Sequence, residues 1–162
     1  MKQLLQQYAA YNLWANQRIT GILINLEEAQ LHREIVSSFT SIYKTATHAW
    51  GAEYIWYLRM LQLPMNDLLP SRFTGTVTEL SNEILQQSGL WREWIDTVTE
   101  DGLLAELPYT NLAGDKFEQP VYLLLQHVFN HNTFHRGQLV TMFRQVGVTK
   151  IPSTDFVTFT RL

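Results

Sequence analysis

The chain of 162 residues contains no cysteine. Disulfides, thiolate metal sites and a cysteine nucleophile are therefore excluded. A metal would have to bind through His, Asp or Glu, and a reactive thiol would have to come from a partner molecule. There is no basic run either. The twelve Lys and Arg are scattered singly, and the net charge is −3. A nucleic-acid binder needs clustered positive charge to release counterions, so no nucleic-acid partner is expected. Long apolar runs are also missing. Aliphatic stretches are no longer than Leu123 to Leu125, against the roughly 20 residues that span a bilayer. The opening "MKQLLQQYAAYNLWANQRI" lacks the continuous apolar core of a signal peptide. The expectation is a soluble cytoplasmic protein with no membrane partner. No internal repeat, low-complexity segment or linker is visible, so residues 1–162 read as one domain.

What is present is a composition suited to a packed core: 46% hydrophobic, 17% charged, with five Trp, seven Tyr and eight Phe. Residues 2 to about 26 carry Leu4, Leu5, Tyr8, Tyr11, Ile19, Ile22 and Leu23 at three- and four-residue steps, the spacing of one helical face. Residues 27 to 36 read as a polar connection. Ser37, Ser38, Thr40 and Ser41 offer caps for a second helix, which should run to about Gln62 and stop before Pro64. "PMNDLLPSRFTG" reads as a loop. Thr76 and Glu79 fit a capping box for a third helix reaching about Glu100. Residues 101 to 119 look non-helical, with Ala-Gly-Asp as the turn of a short hairpin. Pro120 suits the first turn of a fourth helix, which Gly147 should end. The tail should be irregular, packing through Phe156 and Phe159. Four long helices in one small domain predict an all-α four-helix bundle, with a short hairpin before the last helix.

The chemistry concentrates in "HVFNHNTFHRGQL", which holds three of the five histidines. A four-residue step drifts by only about 40° around a helix. His131 and His135 therefore share a face one turn apart, and His127 extends the stripe. Two histidines at this spacing can chelate one ion, but alone they leave positions unfilled. His48, deep in the second helix among apolar residues, reads either as a hydrogen-bonded core histidine or as a third ligand from a facing helix. The bland alternative for His131 and His135 is a partly exposed structural pair.

His127 has three readings: a fourth ligand, a pocket-lining base, or a residue hydrogen-bonded at the bundle end. His32 reads as solvated. Glu53 lies about 140° around the helix from His48, so it should point away and could pair with Arg59 or Arg136. Gly137 in mid-helix suggests either a close approach by another helix or chain, or a tolerated packing glycine. Gln138 shares the histidine face. Trp50, Trp56 and Phe134 could line a pocket or belong to plain core.

"HVFNHNTFHRGQL", with "HAWGAEYIW" about eighty residues earlier, resembles the DinB/YfiT-like superfamily. The similarity covers nearly the whole chain, including the serine-rich entry to the second helix, "LPYTNLAGDKFEQP" and the "IPSTDF" tail. Although such proteins are called damage-inducible, they are not the similarly named lesion-bypass polymerase. The resemblance implies a four-helix bundle with a divalent metal, commonly zinc or nickel, held by three histidines: here His48, His131 and His135. His127 lies outside that triad. Relatives include transferases and isomerases that use a low-molecular-weight thiol; others are described as metal-dependent hydrolases, and many are homodimers.

The expected function is a metal-dependent enzyme that activates a thiol such as bacillithiol, mycothiol or glutathione for S-transfer to a small-molecule electrophile. His127 is the candidate catalytic base. The alternatives are hydrolysis by metal-activated water, or a non-catalytic, stress-related metal-binding bundle.

Overall fold

The fold is described from a computed structural model, which defines residues 1–64 and 70–162. Four long helices dominate it: α1 (Lys2–Leu23), α3 (Ile42–Met60), α4 (Val77–Thr97) and α6 (Val121–Gln145). Short helices α2 (Glu28–His32), α5 (Glu100–Leu104) and α7 (Phe156–Phe159) and a two-stranded hairpin complete it. The expected four-helix bundle and hairpin are both present. Part of the loop read in "PMNDLLPSRFTG" lies outside the described residues.

The helix boundaries follow from local chemistry. Ser41 caps α3 by accepting from the Lys44 backbone N–H at 3.2 Å. Thr76 and Glu79 form the reciprocal capping box at the start of α4. Gly147, at φ 96, closes α6. Its N–H donates to the Arg144 carbonyl while Val148 donates to Phe143, a Schellman pair that satisfies two end carbonyls.

Three short elements depart from the sequence expectation. α2 forms in the "polar connection" because Glu27 and Gln30 cap each other reciprocally, although glutamate is outside the usual N-cap set. α5 forms where no helix was expected, because Thr99 accepts from the Gly102 N–H at 3.0 Å and acids occupy the first turn. The tail is not wholly irregular: α7 stacks Phe156 and Phe159 onto Tyr11, with Phe156 also on Tyr8 and Phe159 on Trp14.

α1 packs beside α4 and α6, and α3 packs beside the same two helices. The first connection therefore crosses the bundle diagonal. Two apolar clusters fill the interior. One gathers Leu23, Ile42, Leu80 and Phe143; the other gathers Leu5, Met60, Trp91 and Phe129. These groupings make α1 and α6 run one way and α3 and α4 the other.

A buried polar layer lies near the middle of the long helices. Glu53 is 3% exposed and Arg136 2%. Asn12 and Asn16 each donate to Glu53 Oε1, at 3.0 and 3.3 Å, and each accepts from Arg136 Nη1, at 2.6 and 3.2 Å. Asn132 adds a bond to Asn12, and Ser88 accepts one from Asn16. Glu53 thus points away from the histidines as expected. It makes no direct ion pair with Arg59 or Arg136, because two asparagine amides stand between the carboxylate and Arg136.

Burial pushes the Glu53 carboxyl up to about 7, with Asn12, Arg136 and Asn16 pulling it partly back. Between its ordinary 4.5 and about 7, the folded chain holds a proton that the unfolded chain lacks. The stability due to Glu53 is then full below 4.5 and is lost as pH rises to 7. Glu53→Gln removes that dependence. Relative to wild type, its unfolding free energy should rise by on the order of 3 kcal/mol across this window. Urea denaturation at both ends of the window measures it. A pH-independent difference would contradict a neutral buried Glu53.

Candidate metal centre

His48 is presented by α3, and His131 and His135 by α6, which packs directly beside it. One ring nitrogen from each lies within 4.8 Å of the others. His135 is buried, at 3% exposed, and the other two are half-buried. His131 Nε2 and His135 Nε2 are 3.1 Å apart. Two ligands bound at 2.0–2.1 Å to a tetrahedral ion sit about 3.3–3.4 Å apart, so this pair already has close to chelating separation. The three histidines read from the sequence are therefore brought together, and they could hold a metal ion.

The surroundings fix the rings. Gln138 Oε1 lies 2.8 Å from His135 Nδ1, and Gln138 Nε2 donates to Ser38 Oγ at 3.4 Å. With the proton on Nδ1, the Nε2 lone pair of His135 faces the cluster, the usual outer-sphere arrangement of a ligating histidine. Phe39 stacks on His48 with ring centres 4.0 Å apart. Phe134, 61% exposed, abuts His135 from outside.

The rings are also electrostatically suited to ligation. Burial, then His135, His48 and His127, push His131 down to about 4. Burial also lowers His48, with His135 adding to it, and lowers His135 against the raising effect of Gln138. All three are neutral at pH 7, the form that binds metal.

His127 is separate. It is not part of the three-nitrogen group and makes no hydrogen bond among the described residues. The fourth-ligand and end-bonded readings therefore gain nothing from its position. Its ring meets Trp56 at 5.4 Å and His131 at 5.7 Å. Burial and the nearby Arg59 cation lower its pKa. His32 is exposed and pairs with Glu28 at 3.2 Å.

A cavity of about 1020 Å³ opens beside His48. Among the described residues its walls include Phe39, Ile55, Trp56, Arg59, Phe73 and Leu112. Of the three aromatics read as pocket candidates, Trp56 lines it. Trp50 is core, packed on Phe73, and Phe134 lies on the outer face. Gly51 lies on the cavity wall, where an added Cβ would lie 2.6 Å from Pro70 Cβ; a Cβ at Gly137 would meet nothing within 4 Å.

Sequence reasoning placed Gln138 on the histidine face without seeing that it anchors His135. It missed Phe39, Arg59 and the hairpin tip as parts of the site. The three-residue step from His135 to Gln138 was the available signal for the first. Nothing local signalled the others.

Imidazole nitrogen spectra of the chelator-treated chain test this geometry. His135 should carry its proton on Nδ1 and His131 on Nε2, and His131 should stay neutral until pH falls to about 4. In Gln138→Leu the His135 preference should disappear. An Nε2-protonated His135 in wild type, or titration of His131 near the ordinary 6.5, would contradict the arrangement.

Comparison with known proteins agrees with the fold. The protein DinB of Bacillus subtilis (strain 168) is 30% identical over 151 residues, covering 90% of this chain and 87% of the relative. The crystal structure of the DinB-like protein YjoA from Bacillus subtilis superposes with a TM-score of 0.68 at 17% identity, over 92% of this chain and 97% of the other. A DinB-like protein from Bacillus cereus ATCC 10987 gives 0.66 at 18% identity, over 86% and 89%. The DinB family model matches residues 1–162, and the chain belongs to the DinB family.

Proposed function

We propose that this chain is a metal-dependent enzyme in which His48, His131 and His135 hold a divalent ion, zinc or nickel, to activate a low-molecular-weight thiol. The observation that carries this reading is the convergence of three neutral imidazoles beside a large cavity, in a chain without cysteine. Three nitrogen ligands leave room for an exogenous ligand, as in catalytic sites, whereas a structural site would be filled. A divalent ion held there would lower the pKa of a thiol or water ligand and so would supply a nucleophile at neutral pH.

The chain's own residues do the rest. Gln138 holds His135 in register through Nδ1. Phe39 and Phe73 make the cavity wall beside the histidines apolar. His127, neutral and beside His131, is the group to which this reading gives the thiol proton. Overall, a sulfur–carbon bond forms on the electrophile and the bond to its leaving group breaks. The leaving group departs with the electron pair. Bacillithiol, mycothiol and glutathione are the candidate thiols.

The assay offers monobromobimane with each thiol to the zinc- or nickel-loaded protein. At least one thiol should be consumed faster than background. His135→Ala should return the rate to background, and His127→Gln should lower kcat by about 100-fold at unchanged metal content. Absence of thiol dependence with either metal would overturn the transferase reading, and thiol-free ester cleavage would favour metal-activated water.

A further inference from the structure

The floor of the cavity is one stripe of α3. Lys44, His48, Ala52, Ile55 and Arg59 follow at steps of four, four, three and four, and all five line the cavity. Eleven residues separate His48 from Arg59, so their Cα atoms lie about 16 Å apart along the helix. The stripe has cationic ends and an apolar middle, with Trp56 beside it.

Among the described residues, the charge balance of the cavity wall is opposite to that of the chain. The sequence has fifteen acids against twelve Lys and Arg. Among the described residues, the cavity walls carry Lys44 and Arg59 and no Asp or Glu. Among the described residues, no carboxylate pairs with either cation. Lys44 Nζ donates to Thr40 Oγ1 at 3.1 Å, and Arg59 Nη2 donates to the Thr110 carbonyl at 3.0 Å.

Arg59 is held ready for a ligand. Its guanidinium lies 4.5 Å from the Trp56 ring centre and 5.4 Å from that of Tyr109. Gln62 ties the end of α3 to the hairpin, donating to the carbonyls of Arg59 and Pro108. The hairpin tip at Asn111, Leu112 and Ala113 forms the cavity wall beside it. Arg59 Nε is buried with no hydrogen-bond partner among the described residues. Burial lowers the Arg59 pKa, with Tyr109 pulling it partly back. A planar guanidinium fixed between aromatic rings loses little freedom on binding, and its fork matches a carboxylate.

We propose that the cavity takes a small organic carboxylate: its head on Arg59, its apolar body along Ala52, Ile55 and Trp56, and its far end at His48. Arg59 is then the specificity-determining residue. The proposal deepens the enzymatic reading only in placing the reacting end at the histidines; the carboxylate site itself needs no turnover.

Binding separates the two. The metal-loaded full chain is titrated with 4-phenylbutyrate and with its uncharged isostere 4-phenylbutyramide, followed by calorimetry. Wild type should bind the acid at least ~10-fold more tightly than the amide, one charge-assisted pair's worth. Arg59→Gln should abolish the preference, Arg59→Lys should keep part of it, and Lys44→Gln should leave it intact. Arg59→Lys retains the charge, so partial retention there distinguishes lost recognition from a misfolded variant.

Acid binding no tighter than the amide, including no binding of either, overturns the proposal. So does a preference that survives Arg59→Gln, which would place the carboxylate on the metal, or one lost only in Lys44→Gln, which would reverse the ligand. Failure of thiol transfer would leave this preference untouched.

Discussion

Burying Arg136 is the constraint on which the rest of the molecule turns. A guanidinium in the bundle interior is tolerable only where acceptors meet it. Asn12, Asn16 and Thr133 supply those acceptors, and Asn12 and Asn16 also hold Glu53. The layer ties α1, α3 and α6 together, with α4 joined through Ser88. Sliding or rotating α6 would strand a charge, so the layer fixes its register. His135 is the next residue back, about 100° around the helix. With Arg136 facing α1, His135 and His131 face α3 and meet His48. The polar layer and the histidine cluster are two faces of one helix, the first setting the second.

The site then divides into two regions with different physics. Near α6, three neutral imidazoles converge, kept unprotonated chiefly by burial, with His48 and His131 lowered further by neighbouring histidines. Further along α3, an apolar trough ends in a guanidinium stacked on Trp56. Trp56 also touches His127, which touches His131. Arg59, Trp56, His127 and His131 form a continuous ring-to-ring path between the two regions. His127 thus stands one ring from His131 and one ring from Trp56, which lines the trough.

Much of this was legible in the sequence, because the signals were local. Thr76 with Glu79, Gly147 after the last apolar turn, and the four-residue histidine step each encode geometry within one turn of helix. Glu53 was correctly turned away from His48 by angle alone. The features that escaped depend on distant partners. Arg136 gave no sign that two asparagines from α1 would receive it. Arg59 gave no sign that the hairpin would close over it, or that its carbonyl neighbour would be Thr110. α2 and α5 escaped for a smaller reason: a helix of five residues is decided by its cap, and Glu27 is an unusual one. Gly137, which drew notice as a mid-helix glycine, has open space around it, while Gly51, which drew none, seats Pro70 against α3.

The account stands on His48, His131 and His135 acting as one donor set. X-ray absorption at the metal edge of the as-purified protein measures that directly. It should show a zinc or nickel ion with three imidazole nitrogens at about 2.0–2.1 Å and at least one further, non-imidazole ligand. An ion with fewer than three imidazoles, or a shell already filled by protein side chains, would contradict it.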